Sequence, residues 1–107
     1  DATFLVAWLD GSIIGTGALV PRSEQEAEIV RMSAATEMRR QGIGTQILEQ
    51  LCQEGKKLGF QRLILETTAT WHKVIEFYKR FGFCITHYRE SEFGDEVCFS
   101  LDLTSIE

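Results

Sequence analysis

A chain of 107 residues with 44% hydrophobic and 25% charged side chains has the composition of one globular domain, with a single core and no disordered or collagen-like tract. A formal net charge of −5 argues against a nucleic-acid backbone as the main partner, since binding phosphates needs a basic face. No apolar run approaches the roughly 20 residues of a membrane span, and no basic-then-apolar leader precedes the first strand-like segment.

Residues 3–9 and 12–20 flank Asp10-Gly11, the dipeptide best suited to the positive-φ positions of a two-residue turn, so the chain is expected to open on a β-hairpin. Gly15 and Gly17 lie inside the second strand, which points to a bulge or a closely packed neighbour. Pro21 closes that strand and residues 23–26 form a polar loop. Residues 27–34 read as a third strand, in which a period of two sets Glu28, Val30, Met32 and Ala34 on one face.

The stretch Arg39-Arg40-Gln41-Gly42-Ile43-Gly44-Thr45 then joins a strand to a helix through a basic glycine turn. Glycines at 42 and 44 let the backbone approach a ligand closely. The first helical turn offers N–H groups without intrahelical partners at the positive end of the helix dipole, a site for phosphate or pyrophosphate. From Ile43, the apolar positions Ile47, Leu48, Leu51, Cys52 and Leu58 recur at helical spacing, and Gly59 is a natural stop. Residues 62–67 form a short, continuous apolar strand, as expected beneath a helix in a right-handed β-α-β unit.

Thr70 is suited to cap a second helix over residues 71–81, with Trp71, Val74, Ile75, Tyr78 and Phe81 on one face and Gly82 as its stop. Two strands, 83–89 and 96–103, end the chain around a loop carrying Phe93-Gly94-Asp95. Cys52, Cys84 and Cys98 have no metal-ligand spacing, so no metal is expected, and reduced thiols in a cytoplasm fit them best.

Three pieces in fixed order resemble the GCN5-related N-acetyltransferase (GNAT) family. Arg39-x-x-Gly42-x-Gly44 is similar to its pyrophosphate motif. Residues 28–34 resemble the strand before that motif, and Phe77-Tyr78-Lys-Arg-Phe-Gly82-Phe83 resembles the later Tyr-x-x-x-Gly-Phe element. The resemblance implies an α/β acyl-CoA N-acyltransferase fold: a mixed, mostly antiparallel twisted sheet flanked by helices, here without the usual first strand and first two helices.

It also implies acetyl-CoA as cosubstrate and an amine-bearing acceptor, small molecule or protein. The pantetheine arm would insert between the strand before the glycine turn and the strand after the helix, pairing with backbone groups near Met32 and Ala34. Amides from Gln41 to Thr45, with the charges of Arg39 and Arg40 and the Thr45 hydroxyl, would hold the pyrophosphate. Tyr78 stands at the position of a general acid for the leaving thiolate, and Glu28 where some members carry a general base. A core tyrosine and an ion-paired strand acid are the alternatives for these two. His72 and His87 are further bases to weigh, and the cysteines read as packing residues. Where the family often has an asparagine that contacts the cofactor, this sequence has Trp71, and Val74 replaces a common alanine. The missing front segment leaves a trimmed chain, a wall supplied by a partner in a homodimer, or an open acceptor site.

A non-catalytic acyl-CoA-binding module is the alternative function. Dinucleotide binding, suggested by Glu66 lying 22 residues after Gly44, fails because Ile47 occupies the third glycine's place.

Overall fold

A computed structural model describes residues 2–9, 11–34 and 42–105. Arg39, Arg40 and Gln41 lie outside the described residues. The elements run β1 (Thr3–Leu9), β2 (Ser12–Pro21), β3 (Glu26–Ala34), α1 (Ile43–Lys57), β4 (Arg62–Thr68), α2 (His72–Phe81), β5 (Cys84–Arg89) and β6 (Glu96–Asp102), with a closing 3-10 turn at Leu103–Ser105. They form one sheet in the order β1-β2-β3-β4-β6-β5, antiparallel except where β3 meets β4.

Cross-strand neighbours share a face, and one face of this sheet is dry. Leu19 opposes Ile29, Ala27 opposes Leu63, Leu63 opposes Leu101, and Leu65 opposes Phe99. All are buried, beneath Ile47, Leu48 and Leu51 of α1 and Tyr78 of α2. The helix comes unusually close to β2. A Cβ on Gly15 would stand 2.5 Å from Ile47 Cδ1, and one on Gly17 2.8 Å from Ile47 Cγ2. Both expectations for these glycines are met, since register shifts lie between Ala7 and Trp8 in the β1–β2 ladder and between Thr16 and Ala18 in β2–β3.

Two helix boundaries differ from the sequence expectation. Leu58, which helical spacing aligns with the apolar stripe, is 55% exposed, because it caps α1 just before Gly59 turns the chain at φ 92°. Trp71, not Thr70, is the N-cap of α2, with no side-chain hydrogen bond to the helix.

The bulge in β3 also corrects its facing. Arg31 has φ 56°, and Val30 and Ser33 pair with Ala18 and Thr16, so two residues of β3 oppose Gly17 alone. Glu28 and Val30 therefore face away from the helices, whereas Met32 crosses to the helix side, its sulfur 3.0 Å from where a Gly17 Cβ would be. A strict period of two over residues 28–34 fails because the extra residue resets the alternation.

The bulge lies beside a second interruption. β3 and β4 pair only through Glu26 with Arg62, Ala27 with Leu63 and Glu28 with Ile64. Beyond Ile64, β4 continues to pair with β6 as far as Thr68, and beyond Glu28, β3 continues with β2 as far as Ala34. The two strands part into a wedge whose edges, from Ile29 and from Leu65 onward, have no ladder partner across the gap among the described residues.

Candidate active site

The wedge opens toward the N-terminus of α1. Gly42 is the N-cap, at φ 77° in the left-handed region and with no side-chain cap, so the first amides of the helix lack a capping acceptor among the described residues. Its missing Cβ would meet nothing within 4 Å, and the positive φ is what favours glycine there. Gly44 is small for another reason: a Cβ would lie 3.1 Å from Phe77 Cζ. The second glycine, expected only to admit a ligand, also lets α1 rest on α2. From Thr45 a cleft of about 640 Å³ runs between the helices, lined by Cys52, Lys56, Phe77 and Arg80.

Tyr78 lies on the helix side of the sheet, 7% exposed, with ring centroids 5.3 Å from Phe77, 5.7 Å from Phe83 and 5.7 Å from Phe99. Phe99 opposes Leu65, the first β4 residue past the last β3–β4 pair, so Tyr78 stands at the level where the wedge begins. Burial pushes its phenol up to about 12. It remains a neutral donor throughout the physiological range.

Glu28 lies on the other face at the same level. Its Oε1 accepts a hydrogen bond from Arg22 Nε at 2.7 Å, and its side chain is 17% exposed. Glu26, two residues back, pairs with Arg62. The ion-paired alternative weighed for Glu28 is therefore present, and the carboxylate still borders the wedge.

The same face holds a group missed in the sequence. Glu66 opposes Cys98, and Arg89 opposes Glu96. Arg89 Nη2 donates to Glu66 Oε2 at 2.5 Å and to Glu96 Oε1 at 2.7 Å, which keeps the guanidinium charged. Cys98 Sγ donates to Glu66 Oε2 at 3.9 Å, and burial first, then the Glu66 charge, raises that thiol above its ordinary range. Burial likewise pushes the Cys52 thiol up to about 11. The signal for Glu66 was a polar residue at the end of the apolar run Leu63-Ile64-Leu65, on the face of Ile64 by the strand period.

Of the other expected site residues, Met32 and Ala34 lie on the wedge-lining stretch of β3, and Thr45 is in the first turn of α1. Trp71 is 57% exposed at the start of α2. His72 and His87 stand apart as bases: His72 opens α2, and His87 is on β5 with its Nδ1 3.0 Å from the Thr86 hydroxyl. Among the described residues, no group of His, Cys, Asp or Glu has the arrangement of a metal site.

Residues 1–83 match the model of the acetyltransferase (GNAT) family. The chain belongs to the GNAT family. Relatives of this GNAT domain include the uncharacterized N-acetyltransferase YsnE of Bacillus subtilis, 33% identical over 78% of this chain and 56% of that protein. Another is the IAA acetyltransferase of Azospirillum brasilense, 33% identical over 78% of this chain and 55% of its own length. The chain spans about half the length of these curated relatives or less, down to 39% for the probable N-acetyltransferase camello of Xenopus tropicalis. A crystal structure of a GNAT family acetyltransferase from Elizabethkingia anophelis with acetyl-CoA bound superposes with a TM-score of 0.89 at 22% identity, covering 94% of this chain and 76% of that one. The expected acyl-CoA N-acyltransferase fold is thus the fold of this GNAT domain.

Proposed function

We propose that this domain transfers an acetyl group from acetyl-CoA to an amine by direct attack in a ternary complex. The observation that carries this reading is the wedge between β3 and β4, bordered at one level by Tyr78 on the helix face and Glu28 on the opposite face. A group held in the sheet plane is accessible from both sides there. An acid serves the leaving thiolate on one side while an amine approaches a base on the other.

The residues suit the cosubstrate. The open amides of α1 behind Gly42, with the Thr45 hydroxyl, would hold a pyrophosphate, and the cleft between the helices, with Lys56 and Arg80 on its walls, suits the nucleotide end. Arg39, Arg40 and Gln41 are proposed to add charge and amides to the same grip, and Trp71 to border the arm where α2 begins. Backbone groups of β3 near Met32 and Ala34, which have no ladder partner across the wedge among the described residues, would pair with the pantetheine arm. An N–H there would stabilise negative charge developing on the thioester oxygen, an effect of about 2.7–4 kcal/mol per donor. Glu28 would take the proton from the attacking ammonium, directly or through water. Tyr78 would protonate the thiolate as it leaves.

The acceptor is an amine on a small molecule or protein. The net charge of −5 supports a cationic acceptor over a nucleic acid. Three free thiols are compatible with a cytoplasmic location, and the exposed edge strands β1 and β5 with a homodimer.

Steady-state kinetics on the full chain test the assignment. Tyr78→Phe should lower kcat with little change in KM for acetyl-CoA, and Glu28→Gln should cost on the order of 10²–10⁴ in turnover. Unchanged kcat in both variants would remove these roles. Acetyl-CoA at 100 times its dissociation constant should stabilise by about 2.7 kcal/mol. Stabilisation without release of free coenzyme A over a broad amine panel would instead identify a non-catalytic acyl-CoA-binding module.

A further inference from the structure

The wall of the wedge contains a strained residue. Arg31 is the one non-glycine with positive φ among the described residues, at 56°. Such a backbone is costly for an L side chain and persists only where its neighbours hold it. Arg31 and Met32 together oppose Gly17, between the Ala18–Val30 and Thr16–Ser33 pairs, and both lie beyond Glu28, the last residue of β3 to pair with β4. The peptide that joins them therefore lines the gap.

Two contacts with β2 fix this peptide. Thr16 Oγ1 donates to Arg31 O at 2.7 Å, and the Ser33 hydroxyl lies 2.9 Å from Thr16 Oγ1. A hydroxyl has one proton, and that of Thr16 goes to a carbonyl, so Ser33 is the donor of the second bond. The relay from Ser33 through Thr16 to Arg31 O stands in for the ladder pairing that the extra residue interrupts. On the helix side, the Met32 sulfur fills the room left by Gly17, 3.0 Å from where a Cβ would be.

We propose that Thr16 is a positioning residue for acetyl transfer: by holding the Arg31 carbonyl on β2, its hydroxyl turns the N–H of Met32 into the wedge as the donor to the thioester oxygen. The C=O and N–H of a trans peptide point in opposite directions, and no described peptide bond is cis. A carbonyl drawn to β2 thus sends the N–H away from β2, toward the gap. This deepens the acetyl-transfer reading and rests on it for what the donor faces. Thr16 acts only through the peptide. Without its hydroxyl the carbonyl loses this anchor, the strained peptide is free to rotate, and the N–H is misdirected. Losing a hydrogen bond to developing charge lowers turnover by about tenfold to a hundredfold.

The test compares Thr16→Val, Thr16→Ser and Ser33→Ala in the full chain. Valine keeps the branched shape and strand preference of threonine, so the domain stays folded. In proton–nitrogen NMR spectra, the Met32 amide of the parent should shift more on binding acetyl-CoA than on binding coenzyme A, and Thr16→Val should abolish the difference. Transfer to butylamine, spermidine, kanamycin or a peptide with a free N-terminus should fall about tenfold or more in kcat in Thr16→Val, with KM for acetyl-CoA within about twofold. Thr16→Ser should keep turnover of the same order as the parent, and Ser33→Ala should lose less than Thr16→Val. A parent Met32 amide that responds alike to both ligands overturns the proposal, as does a loss that Thr16→Ser shares with Thr16→Val. If transfer proceeds and Thr16→Val leaves it unchanged, the positioning role falls and the catalytic reading stands alone. If the acetyl-dependent shift needs the Thr16 hydroxyl but no amine is acetylated, the hydroxyl positions a donor in a binding module and the catalytic reading falls.

Discussion

Gly44 and Phe77 meet with so little space that a Cβ on the glycine would lie 3.1 Å from the ring's Cζ. Phe77 immediately precedes Tyr78, so the helix end proposed to hold the pyrophosphate and the side chain proposed to protonate the thiolate are set against each other by one contact. Tyr78 is in turn fixed by Phe77, Phe83 and Phe99.

This contact predicts a coupling between two substitutions. Gly44→Val should push the first turn of α1 off α2 and weaken acetyl-CoA binding by about tenfold, while the domain still folds. Phe77→Ala in that background should restore part of the affinity. A double-mutant cycle on acetyl-CoA dissociation constants should give a coupling of about 1 kcal/mol. Additive effects would mean that the helix end is positioned by something else.

The packing of α1 on β2 predicts a cost that is purely structural. Gly15→Ala places a methyl 2.5 Å from Ile47 Cδ1, 2.9 Å from Ile43 Cγ2 and 3.2 Å from the Ser33 carbonyl oxygen. The last of these is backbone and cannot swing aside as a side chain does. The expected loss is about 1–3 kcal/mol, a fall in Tm of roughly 4–8 °C per kcal/mol. Gly59→Ala, at φ 92° with nothing within 4 Å, should cost only the backbone strain of about 1–2 kcal/mol. Thermal unfolding of the two variants separates overpacking from strain, and a Gly15→Ala variant as stable as the parent would contradict the contact.

How much of this was legible follows from which interactions are local. The hairpin, both helices and the β-α-β unit were readable because Asp10-Gly11, the helical apolar spacing and Gly59 and Gly82 act within a few residues. The glycine turn, Tyr78 and Glu28 are candidates that motif order and spacing single out. The bulge at Arg31 was not visible in β3 itself, because it is created by pairing with β2, and it inverted the facing of Met32. The Arg89 contacts to Glu66 and Glu96 escaped for the same reason: they join three strands through register, and residues 66, 89 and 96 carry no shared local pattern. Burial of Cys98 beside Glu66 likewise depends on the neighbouring order of β4 and β6.

The thiols predict the kinetic pattern. Cys98 is buried beside an anionic carboxylate, which raises its pKa and disfavours the thiolate that a covalent acyl intermediate requires. Cys98→Ala should leave kcat of the same order as in the parent. Initial-rate lines for varied acetyl-CoA and amine should intersect, as a ternary complex demands. Parallel lines together with loss of activity in Cys98→Ala would put the acetyl group on the enzyme.

Tyr78 predicts an alkaline signature. Its phenol is raised by burial from 10.0 to about 12, so between those values the unfolded chain loses the proton while the folded chain keeps it. With fewer protons bound in the unfolded state, stability falls as pH rises. The contribution is fully present below about pH 10 and is lost toward pH 12, to a total on the order of 3 kcal/mol. Cys52, raised from 9.0 to about 11, adds a loss of the same sign in the adjoining window. Urea midpoints measured from pH 8 to pH 11 should therefore decline in the parent and less steeply in Tyr78→Phe, with Cys52→Ala removing the earlier part of the fall. The same shift means that ionisation of Tyr78 cannot produce a loss of turnover below about pH 11. An alkaline limb that begins near pH 9 and disappears in Tyr78→Phe would show that the phenol ionises far more readily than its burial requires.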